Sequence, residues 1–141
     1  MAVLVQQLVP SDVSAVVFSA NPITGSRDEI MINANWGLGE SIVGGTATPD
    51  MFIVHKEQMR IASREIARKT SMTVMTNGGT ADAEVPAELQ SKPSLTDDEI
   101  AEMAGLAISL EKMNGHAVDV ECAIATNKLY LLQCRPITTL G

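Results

Sequence analysis

The feature that most restricts how this chain can fold is a pair of alternating runs near its C-terminal end. They are Val118-Asp-Val-Glu-Cys-Ala-Ile-Ala125 and Leu129-Tyr-Leu-Leu-Gln-Cys-Arg-Pro136. In the first, Val118, Val120, Cys122 and Ile124 point one way and Asp119, Glu121, Ala123 and Ala125 the other, the period of a half-buried strand. In the second, Tyr130, Leu132 and Cys134 share a face opposite Gln133 and Arg135. The two runs read as a β-hairpin, and its register decides which side chains meet, because a slip of one residue exchanges the two faces. A two-residue loop at Thr126-Asn127 sets Glu121 against Leu132. A three-residue loop, Thr126-Asn127-Lys128, sets Glu121 against Gln133 and Asp119 against Arg135, with the apolar set gathered on the core side. The expectation is therefore an odd-length loop, with Asn127 or Lys128 in the left-handed conformation.

That register gathers a carboxylate, an amide and a guanidinium on one face. Glu121 and Gln133 offer the hard oxygen ligands that Mg²⁺ accepts when phosphates and water complete its octahedron. Arg135 offers a planar fork of donors for phosphate oxygens. The same face also fits a plain solvated surface with an Asp119–Arg135 cross-strand pair, which would contribute about 0.2–1 kcal/mol.

Four further motifs stand in order along the chain: Val5-Gln-Gln-Leu-Val9, Val16-Val-Phe-Ser-Ala-Asn-Pro-Ile-Thr-Gly25, Trp36-Gly-Leu-Gly-Glu-Ser41 and Pro93-Ser-Leu-Thr-Asp-Asp-Glu99. Together with Asp119-Val-Glu121 and Gln133-Cys-Arg-Pro-Ile-Thr138 they resemble the ATP-binding domain of the phosphoenolpyruvate synthase, pyruvate phosphate dikinase and rifamycin phosphotransferase group. The resemblance spans nearly the whole chain. It implies an α+β fold, a largely antiparallel sheet with one long helix, like the C-terminal subdomain of an ATP-grasp-like domain, with residues 1–141 forming that single subdomain. It implies ATP and Mg²⁺ as cofactors, with Glu121 and Gln133 on the metal, Arg135 on the transferring phosphates and Gln6 beside the nucleotide. Gln6 read from the residues alone is equally an edge-strand amide satisfied by backbone. One departure is Ala15, where the group commonly has glycine.

The resemblance also implies what lies elsewhere: a lysine and an arginine on a preceding subdomain, and a phosphorylated histidine on a swivelling domain. Neither His55 nor His116 has the matching context. The expectation is a piece of a larger dikinase that passes phosphate from ATP through a phosphohistidine to pyruvate, a rifamycin-type antibiotic or another alcohol, releasing AMP, and that does not turn over alone. The other reading is a non-catalytic nucleotide-binding or interaction module.

Composition sets the outer bounds. A net charge of −7 argues against a nucleic-acid or anionic-membrane surface, so an anionic nucleotide needs local help from arginine, backbone amides or Mg²⁺. Two cysteines, no signal-like start and no apolar run near 18 residues point to a cytoplasmic protein. Cys122 and Cys134 are not directly opposite in the expected register, so both read as small buried hydrophobes rather than a disulfide.

In chain order, Ala2–Val9 reads as a buried strand ended by Pro10, and Ser14–Ser19 as a second. Asn21-Pro-Ile-Thr-Gly25 reads as a turn from which Glu29–Ala34 returns antiparallel. Gly37-Leu-Gly39 reads either as an anion-facing loop or as a tight turn packing Trp36. Met51–Val54 is a strand candidate. Between Lys56 and Lys69, charges surround Met59, Ala62 and Ile66 at helix-compatible spacing, and Arg60, Arg64, Arg68 and Lys69 form a basic cluster that faces either phosphate or solvent. Thr70–Met75 with Asn77-Gly-Gly79 suggests a small hairpin. Thr96-Asp-Asp-Glu99 is a capping box that opens a helix stopped at Asn114-Gly115. Its stripe of Ile100, Met103, Ala104, Ala107 and Leu110 is expected to pack on the core side of the final hairpin, leaving Glu121, Gln133 and Arg135 on the other side.

Overall fold

The computed structural model describes residues 3–45 and 47–138. Its backbone runs β1 (Val13–Phe18), β2 (Glu29–Trp36), α1 (Glu40–Val43), β3 (Asp50–His55), β4 (Arg60–Glu65), β5 (Ser71–Thr76), β6 (Gly79–Glu84), α2 (Ala87–Gln90), α3 (Asp97–Asn114), β7 (Val118–Ala125) and β8 (Lys128–Pro136). Six strands form one sheet in the order β4-β3-β2-β1-β7-β8, every neighbouring pair antiparallel, and β5 pairs with β6 in a separate ribbon. The α+β class with one long helix is the one the sequence predicts.

The helix α3 forms where its capping box stands. The Thr96 hydroxyl accepts from the Glu99 amide at 3.2 Å, and the Glu99 carboxylate accepts from the Thr96 amide at 2.8 Å. Asp97, Asp98 and Glu99 lie at the positive end of the helix dipole, and Gly115 ends the helix at φ 74°, which only a residue without Cβ adopts easily. Ile100, Met103, Ala104 and Ala107 are fully buried, against Val118, Val120 and Cys122 of β7 and the inner residues of β1 and β2. Burying a side chain such as Ile100 or Met103 contributes about 1.5–3 kcal/mol. The helix thereby covers one side of the sheet. Ala15 belongs to this covered side, so its methyl bears on the core and not on the opposite face.

Two polar assemblies tie the layers together. Ser19 donates its amide to Val118 O and its hydroxyl to Glu111, accepts from the Val118 amide, and so locks β1 to the start of β7; Glu111 is also paired with Lys56. On the other flank, Asp50 and Lys69 form a fully buried ion pair at 2.7 Å. The Asp50 carboxylate also accepts from the Ala67 amide and from both the amide and hydroxyl of Ser94.

Outside the final hairpin, the structure departs from the sequence-based expectation in two places. Val3, Leu4 and Val5 are 82%, 84% and 91% exposed and belong to no strand; Ala2 lies outside the described residues. An apolar run is buried only where a partner surface meets it, and none of the described elements meets this one. The helix-compatible stretch from Lys56 to Lys69 instead turns at Met59 (φ 50°) and forms edge strand β4. The open edge of β3 supplies the hydrogen bonds, which outweigh the weak helix preference of a six-residue segment. The basic cluster disperses accordingly: Lys69 is buried on Asp50, Arg64 pairs with Asp97 and Arg68 donates to Gln90.

Candidate functional site

The site is built on the final hairpin. Thr126 and Asn127 both have positive φ, 51° and 62°, which gives a two-residue loop whose twist matches the flanking strands. The Asp12 carboxylate accepts from the Thr126 amide and pins this loop. The expected odd-length loop is therefore not the one adopted. The expected pairing is recovered by another device: the ladder runs from Ala125↔Lys128 to Cys122↔Leu131, then skips Leu132 and continues as Glu121↔Gln133, Val120↔Cys134 and Asp119↔Arg135. The extra residue of a β-bulge restores the parity that the short loop would have lost. Its consequence for the faces corrects a second expectation. Cys134 packs on the core as predicted, but Leu129 joins it there in place of Tyr130, and Leu132 turns to the side not covered by α3.

The bulge also fastens the N-terminal segment. Gln6 donates from Nε2 to Leu132 O at 3.2 Å, which brings residue 6 to the side of the sheet that carries Glu121. Between them lies a cleft of about 440 Å³, with Gln6, Leu8, Leu38, Val43, Leu132 and Glu121 among its walls. Mostly apolar walls with a few polar groups, at this volume, suit a small-molecule ligand. A second hollow of about 210 Å³ adjoins it at Val43 and Glu121 and is lined also by Val16, Asn33, Asp119 and Arg135. The two make one groove running from Gln6 past Glu121 to Arg135. The third predicted residue, Gln133, stands opposite Glu121 in the ladder and is exposed.

Asp119, read from the sequence only as a partner for Arg135, is the residue that the structure adds. Its Oδ2 lies 3.6 Å from Arg135 Nη2, while its Oδ1 is buried with no hydrogen-bond partner. Burial pushes its carboxyl above the usual range, and the neighbouring Arg135 only partly offsets this. An unsatisfied buried carboxylate oxygen costs stability and marks a place where a ligand or cation would be welcome. The signal was present in the alternation, which puts Asp119 and Glu121 on one face. No cluster of three or more His, Cys, Asp or Glu side chains able to hold a metal occurs among the described residues. On the β7–β8 face the hard oxygens are two carboxylates, Asp119 and Glu121, and the Gln133 amide.

Gly37-Leu-Gly39 forms a tight turn whose first two amides are taken up by backbone. The Gly37 amide donates to Asp12 O and the Leu38 amide to Thr73 O, while Trp36 Nε1 is bonded to Leu89 O. Gly37 has φ 78°, and a Cβ there would run into Thr73 O. Both thiols are free; burial pushes that of Cys122 up to about 12. No helix among the described residues is long and apolar enough to cross a membrane.

Residues 1–141 match the family described as pyruvate phosphate dikinase, AMP/ATP-binding domain. A probable phosphoenolpyruvate synthase of Methanocaldococcus jannaschii is 45% identical over 141 residues, covering 99% of this chain and 12% of the relative. The uncharacterized phosphotransferase YvkC of Bacillus subtilis is 41% identical over 140 residues, 99% of this chain and 17% of its own length. The prodigiosin synthesizing transferase PigC of Serratia marcescens is 35% identical over 140 residues, 99% and 16% respectively. The chain thus spans less than a fifth of the length of these relatives. With the whole sequence matched, the chain belongs to the family of pyruvate phosphate dikinase AMP/ATP-binding domains.

Proposed function

We propose that the groove is the Mg·ATP site of a phosphoenolpyruvate synthase-like dikinase, of which this chain is the C-terminal subdomain of an ATP-grasp-like unit. The observation that carries this reading is the continuity of the groove, with Gln6 at one end and Glu121, Asp119 and Arg135 at the other. Gln6 serves the base end. Glu121 and Gln133 hold the cation, with the unpaired Asp119 oxygen beside them. This donor set fits Mg²⁺, which takes one or two carboxylates and leaves its remaining positions to phosphates and water. Bound there, Mg²⁺ neutralises phosphate charge and orients the reacting phosphoryl group.

Arg135 is the catalytic residue of this chain. Its contact with Asp119 is long and its side chain is 57% exposed, so the pair is worth no more than about 0–1 kcal/mol and yields readily to a phosphate. A planar guanidinium then stabilises charge on the transferring phosphates; removing such a group costs on the order of 10³–10⁵ in rate. The parent reaction is cytoplasmic: ATP, an acceptor such as pyruvate, and water or phosphate give AMP, phosphate or pyrophosphate, and the phosphorylated acceptor, the transferred group passing through a phosphohistidine on a swivelling domain. A lysine- and arginine-bearing subdomain supplies the other wall of the site.

A second reading, a nucleotide-binding or interaction module without turnover, draws on the exposed Val3, Leu4 and Val5, an apolar strip suited to another polypeptide. Calorimetric titration of the chain with ATP, with and without Mg²⁺, tests the first. Mg-dependent binding should vanish in Glu121→Ala and Arg135→Ala while both stay folded. Equal binding in all three proteins would remove the site assignment, and no binding at millimolar ATP would mean that the site exists only when both halves meet, or would leave the module. The isolated chain is expected to form no AMP from ATP and pyruvate.

A further inference from the structure

We propose that Asn33 is a further phosphate-binding residue of this groove, donating its side-chain amide to the polyphosphate from the side opposite Glu121 and Gln133. The inference rests on the nucleotide reading above and adds a residue to it. Asparagine in the middle of a strand is disfavoured, since it packs poorly and competes for backbone hydrogen bonds. Strand β2 nonetheless carries two on its groove-facing side, Asn33 and Asn35, on either side of the core residue Ala34. Asn35 is explained by its bonds: it is fully buried and donates to Ser41 Oγ and Ser71 O. Asn33 has no such account. It is half-buried, lines the hollow with Asp119, Glu121 and Arg135, and its amide has no hydrogen-bond partner among the described residues.

The register fixes where it stands. Asn33 is opposite Val16 of β1, Val16 is opposite Glu121 of β7, and Glu121 is opposite Gln133 of β8. These four residues form one row across the sheet, so the backbones at Asn33 and Glu121 are about 10 Å apart, two strand spacings. A polyphosphate coordinated at Glu121 through a cation can extend across Val16 to that amide. The charges favour a neutral donor here. Two carboxylates and one guanidinium already face the hollow, and an amide offers two N–H groups without repelling the cation that the carboxylates attract.

The test uses Asn33→Val, Asn33→Thr and Asn33→Asp in the same chain, titrated calorimetrically with Mg·ATP, Mg·tripolyphosphate and adenosine, with urea unfolding in parallel. Asn33→Val removes both donors and inserts a better strand former. It should weaken Mg·ATP and Mg·tripolyphosphate about tenfold, leave adenosine unchanged, and leave the urea midpoint equal or higher. A residue needed only for folding would not move affinity and stability in opposite directions. Asn33→Thr, which keeps one donor, should recover most of the loss. Asn33→Asp keeps the shape and adds a third carboxylate, and should weaken both phosphate ligands further than valine does; it decides the matter should the valine protein not fold. Wild-type affinity for both phosphate ligands in the valine or aspartate protein would overturn the role of Asn33 and leave the site itself standing. A wild-type chain that binds neither Mg·ATP nor Mg·tripolyphosphate would overturn the reading of this groove as a preformed phosphate site, and this inference with it.

Discussion

Replacing Asp50 by alanine should come close to unfolding the protein. Its carboxylate receives four hydrogen bonds inside the structure: from Lys69 Nζ at 2.7 Å, the Ala67 amide at 2.9 Å, the Ser94 amide at 2.8 Å and the Ser94 hydroxyl at 2.7 Å. Both side chains of the ion pair are fully buried. Alanine leaves the Lys69 ammonium with only Ala67 O, at 2.8 Å, and strands two backbone amides. Breaking a buried pair costs about 3–5 kcal/mol, and each stranded donor about 1–3 more. Even with these overlapping, the loss approaches the roughly 5–15 kcal/mol that holds a domain together. Lys69→Met should cost less, because Asp50 keeps three of its four donors. The double variant should be more stable than Asp50→Ala alone, since no lone charge remains inside. Urea unfolding followed by the fluorescence of Trp36, the one tryptophan, measures all three. An Asp50→Ala midpoint within about 1 kcal/mol of wild type, or a double variant no better than the single, would refute the argument.

Three smaller outcomes follow from other parts of the fold. Thr96→Ala removes half of the capping box and should lower stability by about 1 kcal/mol, read from the same urea curves. Asp119 holds its proton more tightly folded than unfolded, so stability in the absence of metal should fall as pH rises from the ordinary carboxylate range through the raised folded value. Asp119→Asn should flatten that slope and stabilise the metal-free protein at neutral pH while weakening Mg·ATP binding. Cys122, buried with a thiol pushed up to about 12, should resist alkylation at pH 8 until the chain unfolds, whereas the half-buried Cys134 should label first, as mass spectrometry of timed samples would report.

What could be read in the sequence was local and periodic. The capping box, the Asn114-Gly115 stop, the apolar stripe of α3 and the alternation of β7 from Val118 to Cys122 each declare themselves within a few residues, and the structure has all four; beyond Cys122 the strand is buried on both faces, Ala123 and Ala125 included. The Asn21–Gly25 turn is of the same kind, with the Asn21 side chain accepting from the amides of Ile23 and Thr24. What could not be read depended on a distant partner. Arg60–Glu65 has no strand character of its own and becomes β4 only because β3 presents an open edge. Val3–Val5 has strand character yet pairs with none of the described strands. In the hairpin, the pairing of Glu121 with Gln133 was legible from face chemistry, but loop length and bulge enter that pairing together. Two compensating departures give the same partners as none. Within the site, Glu121, Gln133 and Arg135 were legible as a face. The position of Gln6 depends on a backbone carbonyl, which leaves no mark in a sequence, and the strain on Asp119 depends on burial.

The bulge at Leu132 makes the two ends of the groove separately adjustable. With a two-residue loop already in place, deleting Leu132 would leave an unbroken ladder in which Glu121 still faces Gln133 and Asp119 still faces Arg135. What would disappear is the displaced carbonyl on which Gln6 rests. On the proposed nucleotide reading, a single codon therefore stands between a groove that would grip both halves of an elongated ligand and one that would keep only its charged half. Lineages that exchange one ligand for another of the same charge could retune the uncharged end there without disturbing the other.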